Sequence, residues 1–120
     1  VTLLEMIQNN QAASEESCAQ MLKIMKQCRS DNRITRFLSN DVEAARKPGG
    51  SHRISTDAGI VFTKNGNLIL SAALLSDYEE ETSRETVGTD ERNKLIGTIS
   101  KLAAGAVDPS SRSDALLLQR

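Results

Sequence analysis

Hydrophobic side chains recur at helical spacing in the first quarter of the chain. Leu3, Leu4 and Ile7 share one face of a short helix that we predict over residues 2–9. Ser14 then occupies the position of a helix N-cap, because acidic residues and an apolar stripe follow it. That stripe predicts a second helix and consists of Cys18, Met21, Leu22, Met25 and Cys28.

The clearest local pattern is a pair of strand-like runs, residues 57–64 and 67–75, joined by Asn65-Gly66. Asn-Gly between apolar runs predicts a tight hairpin in which both central residues take a positive φ. The hairpin requires an antiparallel pairing. The second run is apolar on both faces apart from Ser71, which predicts a sheet covered by helices on both sides.

A short segment before the hairpin combines a lysine with residues that disturb regular structure. Residues 42–46 could be extended, but Lys47-Pro48-Gly49-Gly50 is expected to interrupt any regular element. Proline has no backbone N–H to give to a sheet ladder, so Pro48 belongs on an edge strand or at the end of a strand.

A last helix is predicted from an N-cap at Thr89, with Asp90 and Glu91 in its first turn and an end near Gly105 and Pro109. Its expected buried stripe is Leu95, Ile96, Ile99, Leu102 and Ala103.

The elements together predict an α/β fold of the α+β type, with an antiparallel sheet flanked by helices. We divide the chain into a helical segment over residues 1–40 and a segment of strands and a final helix over residues 41–107. Residues 108–120 are expected to form a mobile tail. The charged cluster over residues 77–85 is expected to be a solvated loop or the approach to the last helix.

Composition narrows the function classes. The 120 residues make at most one small domain, and only 2% are aromatic, which suits either a core completed by other polypeptide or a plain small domain. The net charge is −1 with no basic run, so no nucleic acid is expected, and no apolar run approaches the ~20 residues of a membrane span.

Cys18 and Cys28 would lie ~15 Å apart on one helix, too far for a disulfide. No metal or cofactor is expected, since no Cys/His group has ligand spacing.

The ordered series of elements resembles the C-terminal portion of serine β-lactamases and their penicillin-binding relatives. The resemblance covers roughly residues 1–107. Its segments are a helix start over residues 13–17, a polar segment over residues 31–38, Lys47-Pro48-Gly49 in place of the family's Lys-Thr/Ser-Gly triad, and a strand over residues 56–62.

The resemblance implies a role for each residue of the segment 47–51, which we call the triad segment. Lys47 would lie beside the active site and favour an anionic substrate carboxylate, and the Gly50 backbone N–H would serve the oxyanion hole. Pro48, Gly49 and Ser51 would line the substrate, a β-lactam or a related amide or ester. The resemblance also implies a periplasmic or secreted protein. This hypothesis expects residues 47–50 to rim a pocket on an inner strand of the sheet.

Two departures leave a second interpretation open. Relatives carry a hydroxyl where Pro48 stands, and the family's Ser-x-x-Lys nucleophile motif occurs nowhere in this sequence. The nucleophile would belong to a missing N-terminal half. The chain could instead be a non-catalytic binding or regulatory module, either a degenerate relative or an unrelated α/β domain. We expect His52, the single histidine, to be structural or solvated, with a general base as the alternative. We expect Asp57 to be a polar residue at a strand end, with the orientation of a neighbouring group as the alternative.

Overall fold

The chain folds into two short helices, a three-stranded sheet and one long helix, seen in a computed structural model that describes residues 1–75 and 83–112, without the side chains of residues 83–88. The elements are α1 (Thr2–Gln8), α2 (Glu15–Lys26), β1 (Glu43–Ser51), β2 (Ile54–Thr63), β3 (Gly66–Leu75) and α3 (Ser83–Val107), followed by a 3-10 turn, Pro109–Ser111. This order and the α+β class confirm the prediction. Most of the 77–85 charged cluster lies outside the described residues, and nothing of its solvation is described.

Helix α2 begins where its sequence predicts. The Ser14 side chain accepts a hydrogen bond from the Ser17 backbone N–H, which satisfies one of the free donors of the first turn. The helix ends at Lys26, so Cys28 lies beyond it and not on one helix with Cys18 as predicted, and both cysteines are free.

The sheet is an antiparallel meander in the order β1-β2-β3. Side chains alternate between its two faces. The face that carries Val61 and Leu68 packs against α3 and the segment before β1, through Ile34, Leu38, Ile96 and Ala104. This cluster is the main hydrophobic core of the described residues.

Helices α1 and α2 lie on the opposite face of the sheet. The Lys26 ammonium lies 4.5 Å from the centre of the Phe62 ring, and Asn67 donates a 3.0 Å hydrogen bond to Gln8 of α1. Ile60 is fully buried on this face. The prediction of helices on both sides of the sheet is therefore confirmed, although the far end of β3 is exposed at Leu75.

Strand β1 runs through the tetrapeptide that the sequence predicted would interrupt it. Ser51 pairs with Ile54 across a two-residue turn, which makes theirs a hydrogen-bonded pair. By alternation, Pro48 then falls at a position that exchanges no backbone hydrogen bonds with β2. Because β1 is also an outer strand, the missing N–H of Pro48 removes no ladder bond, and the predicted edge location is confirmed.

The β2–β3 turn differs from the predicted one. Thr63 pairs with Gly66, so the two loop residues are Lys64 and Asn65, and of these four residues only Gly66 has a positive φ, at 150°. The end of α3 holds this turn from outside, because Asn65 donates a hydrogen bond to the Val107 carbonyl at 3.1 Å. A tertiary contact therefore replaces the local conformation that Asn-Gly favours.

Helix α3 begins at Ser83, so the predicted N-cap Thr89 lies inside the helix. The predicted buried stripe is also largely wrong: Leu95, Ile99 and Leu102 are 50%, 38% and 63% exposed. The helix instead packs through a face of small and polar residues centred on Gly97. A Cβ at Gly97 would lie 3.0 Å from the neighbouring backbone and side chains, so the close approach selects this face. The buried residues are Arg92, Asn93, Ile96, Gly97, Ser100, Lys101 and Ala104.

The first residues of the predicted tail are hydrogen-bonded. The Ser39 backbone N–H donates to the Ser111 carbonyl at 2.8 Å, and Leu38 forms a bridge with Arg112. Residues 113–120 lie outside the described part of the chain, and their mobility stays a prediction.

Acid sensitivity is expected at Asp108, which joins α3 to the β2–β3 turn. Hydrogen bonds from Ser110, and from the Lys64 backbone N–H, hold the pKa of the Asp108 carboxyl below its ordinary value. Its stabilisation is therefore present above the unfolded-state pKa, about 3.9, and is lost as the pH falls through the lower folded-state pKa. We expect Asp108→Asn to lower stability at neutral pH and to reduce the loss of stability on acidification. Urea unfolding at several pH values checks this, and an unchanged pH slope would contradict it.

Gly59 permits the close approach of β1 and β2 beside the triad segment. A Cβ there would lie 2.5 Å from the Ala45 carbonyl oxygen and 2.5 Å from the Arg46 Cβ. We expect Gly59→Ala to destabilise the fold by roughly 2 kcal/mol through forced backbone displacement, measured by urea unfolding. Ala58→Gly, the reverse exchange at the neighbouring position, is the control for the effect of exchanging glycine and alanine in this strand. A neutral effect of Gly59→Ala would contradict the observed packing.

Candidate functional site

Strand β1 places the predicted site residues, 47–51, along the open edge of the sheet. We call these five residues the row. Lys47 is exposed and points to the face opposite that of Arg46, because neighbouring side chains alternate. Its ammonium donates a 2.7 Å hydrogen bond to the Pro48 carbonyl. Within residues 1–75 and 83–112, no carboxylate lies within ion-pair distance of Lys47, so its charge is available to a ligand.

Gly50 combines an amide that we expect to lie outside the β1–β2 ladder with a lack of space for a side chain. A Cβ at Gly50 would lie 2.9 Å from the Ile54 carbonyl oxygen. Gly50 pairs with Ser55, one position from the hydrogen-bonded pair at the turn. By the alternation of antiparallel ladders, we expect its N–H to point away from β2, toward the open edge.

Arg33 anchors this end of β1 and was missed by the sequence reasoning. Its guanidinium donates hydrogen bonds to the carbonyls of Gly49 at 2.8 Å and Thr56 at 3.0 Å, and its Nε donates to Asn93 of α3 at 2.9 Å. It therefore brings positive charge beside Gly50 and ties β1, β2 and α3 together. Partners 16 to 60 residues away leave no local signal in the sequence.

A buried ion pair lies directly behind Lys47. Arg46 Nη1 lies 3.1 Å from Asp57 Oδ2, and the two side chains are 1% and 0% exposed. The same oxygen accepts a hydrogen bond from the Ile34 backbone N–H. Asp57 is thus an interior residue of β2, and the prediction of an ordinary strand-end residue is wrong. The sequence signal that was missed is an aspartate within the apolar run of β2, together with an arginine in β1, the strand that pairs with it.

Ser51 and His52 lie at the turn that ends the row. Both are exposed. The turn is held from α3, because Arg92 donates hydrogen bonds to the His52 carbonyl at 3.4 Å and to Ser55 Oγ at 3.1 Å. The role of the His52 side chain stays a prediction.

The row lines an open surface. The prediction of an inner strand is wrong, because β1 is one of the two outer strands of the sheet that the described residues form. Two cavities in the described part of the chain, of about 520 and 480 Å³, include none of residues 47–50 in their linings.

Among the described residues there is no group of three His, Cys, Asp or Glu side chains arranged to hold a metal. In the same residues, no helix combines the length and the apolar character needed to cross a membrane.

Several solved structures share the fold of this chain. The β-lactamase from Sphaerobacter thermophilus superposes with a TM-score of 0.70 at 23% identity, covering 87% of this chain and 37% of that one. The β-lactamase from Chitinophaga pinensis gives 0.60 at 24% identity, with 82% and 39% covered. The protein PBP-A gives 0.61 at 20% identity, with 82% and 37% covered. These likenesses show the fold, and the chain spans less than two fifths of each of these proteins.

No curated protein matches the sequence. A family model does: the one described as the β-lactamase enzyme family matches residues 1–107. Since that match takes in every strand and all but the final 3-10 turn of the described elements, the chain belongs to the β-lactamase enzyme family.

Proposed function

We propose that this chain forms one wall of a serine acyl-transfer site that acts on a β-lactam or a related amide or ester. The supporting observation is the row on β1: an exposed Lys47, with no carboxylate of the described residues in ion-pair distance, and a Gly50 amide at the same open edge. The nucleophile would come from polypeptide outside these 120 residues, docked across that edge. Membership of the family supports the assignment of the substrate wall to this chain and of the nucleophile to the other polypeptide.

The charges of the wall suit an anionic substrate. Lys47 and Arg33 both bring positive charge to the segment that contains Gly49. An ammonium without a carboxylate partner attracts the carboxylate that β-lactams carry and favours a deprotonated neighbouring hydroxyl. The Gly50 N–H would stabilise the oxyanion that develops as the nucleophile attacks the carbonyl carbon. Membership of the family supports a periplasmic or secreted location, which we also propose.

Labelling with a fluorescent penicillin tests this function. We expect the full-length protein that carries this chain to be labelled covalently, and Lys47→Ala to slow labelling about 10- to 100-fold through loss of a charge-assisted interaction. Lys64→Ala, at the far β2–β3 turn, is the matched control and should label normally. A folded full-length protein that takes up no label would refute the catalytic proposal.

Pro48 is expected to limit the reaction. It offers the substrate carboxylate neither a hydroxyl nor an N–H. Because its position in β1 exchanges no ladder hydrogen bond, Pro48→Thr should fold and label about tenfold faster, by adding a hydrogen bond to a charged group. Pro48→Val supplies the same shape without the hydroxyl. Equal rates for the two variants would show that the carboxylate is not bound at this position.

Pro48 also favours a second candidate, a binding module without chemistry. Such a protein would bind the same anionic ligands at Lys47 without forming a covalent bond. Equilibrium binding of penicillin by fluorescence, with an unchanged intact mass after long incubation, would distinguish this module from the enzyme.

A further inference from the structure

The β2–β3 turn carries an exposed asparagine directly before an exposed glycine. Asn65 is the second residue of the two-residue loop, and Gly66 is the first residue of β3. The turn lies at the opposite end of β2 from the row, because β2 runs from Ile54 beside Ser51 to Thr63. An inference about this turn is therefore independent of the proposed function.

The fold requires both residues of the pair. Gly66 has a φ of 150°, which residues with a side chain rarely adopt, although a Cβ there would have room, 3.8 Å from Val107 Cγ1. Asn65 Nδ2 donates a 3.1 Å hydrogen bond to the Val107 carbonyl, at the end of α3. The backbone conformation thus selects glycine, and the contact with α3 selects a short side-chain amide before it. Asparagine followed by glycine is the pair that forms a succinimide most readily.

We propose that Asn65 deamidates spontaneously and that its product releases the β2–β3 turn from α3. The Gly66 backbone nitrogen loses its proton and attacks Asn65 Cγ, the side-chain amide leaves as ammonia, and a succinimide forms. One water molecule then opens the ring at either carbonyl and gives aspartate or isoaspartate. Glycine has no Cβ to shield the attacking nitrogen, and exposure of the turn admits the water.

The product changes the contact with α3 from attraction to repulsion. A carboxylate at position 65 has no N–H to donate, and it would face the Val107 carbonyl at the negative end of the helix dipole. The Asp108 carboxylate holds the same turn, because its Oδ2 accepts a 3.2 Å hydrogen bond from the Lys64 backbone N–H. Two like charges would then meet at this junction. Isoaspartate also adds one carbon to the backbone of the loop.

Peptide mapping of the full-length protein, incubated at mildly alkaline pH, tests the site. We expect the amide of Asn65 to be replaced by an acid before that of any other asparagine, with isoaspartate among the products. Asn67 is the internal control, because it is also exposed and donates a 3.0 Å hydrogen bond to Gln8, but Leu68 follows it. Equal conversion of Asn65 and Asn67 would overturn the proposal. So would an Asn65 that reacts in urea-unfolded protein and stays intact in folded protein.

Urea unfolding of two variants of the full-length protein tests the release. Asn65→Ala loses the hydrogen bond without adding a charge, and should lower the folding equilibrium constant about threefold. Asn65→Asp, the deamidation product, should lower it about tenfold, because repulsion at the helix end is added to that loss. An Asn65→Asp variant no less stable than Asn65→Ala would contradict the release.

Discussion

Gly50→Pro is expected to slow penicillin acylation of the full-length protein about 100- to 1,000-fold relative to Gly50→Ala. Both substitutions add a Cβ, which would lie 2.9 Å from the Ile54 carbonyl oxygen, so the alanine variant controls for that contact. Proline in addition removes the backbone N–H and fixes φ at about −65°. The ratio of the two rates reports on the Gly50 amide where the proline variant keeps the fold.

The ladder explains why proline is tolerable at this position. Gly50 lies next to the hydrogen-bonded pair at the turn, so its N–H takes no part in the β1–β2 ladder. Stopped-flow labelling with a fluorescent penicillin gives both rates, and circular dichroism verifies the fold. Equal rates for the proline and alanine variants would mean that the oxyanion is stabilised elsewhere.

Asp57→Ala is expected to destabilise the protein by about 3 to 5 kcal/mol, because it leaves the Arg46 guanidinium buried without its partner. The Arg46 side chain is 1% exposed, and its other carboxylate neighbour, Asp31, lies 3.6 Å away in solvent. The Ile34 backbone N–H also loses its acceptor. Urea unfolding of the full-length protein measures the loss.

The matched double variant separates the ion pair from simple packing. Arg46→Met with Asp57→Leu removes both charges and fills a similar volume, so it should recover most of the lost stability. A double variant that unfolds as easily as Asp57→Ala would mean that the pair is needed for reasons other than charge neutralisation.

Local patterns predicted the elements whose signals lie within a few residues. The Ser14 cap, the apolar spacing of α1 and α2, and the two runs around Asn65-Gly66 each act over one or two turns of chain. The antiparallel sheet and the class of the fold followed from these elements. For the same reason, Pro48 was correctly assigned to an edge, because its missing N–H is a local property.

The rest depended on contacts between distant residues. The buried face of α3 is set by the close approach of Gly97 to Arg33 and Phe37, which outweighs the apolar stripe at Leu95 and Ile99. Strand β1 continues through residues 47–50 because its partner β2 and its place at the edge allow it. Arg33 owes its role to partners that no sequence spacing reveals.

A crystal structure of the full-length protein after reaction with penicillin tests the central claim most directly. The account predicts an acyl group whose carbonyl oxygen lies about 2.7 to 3.1 Å from the Gly50 backbone nitrogen, with Lys47 facing the same cleft. An acyl oxygen bound far from β1, or an unmodified protein in a folded crystal, would contradict it.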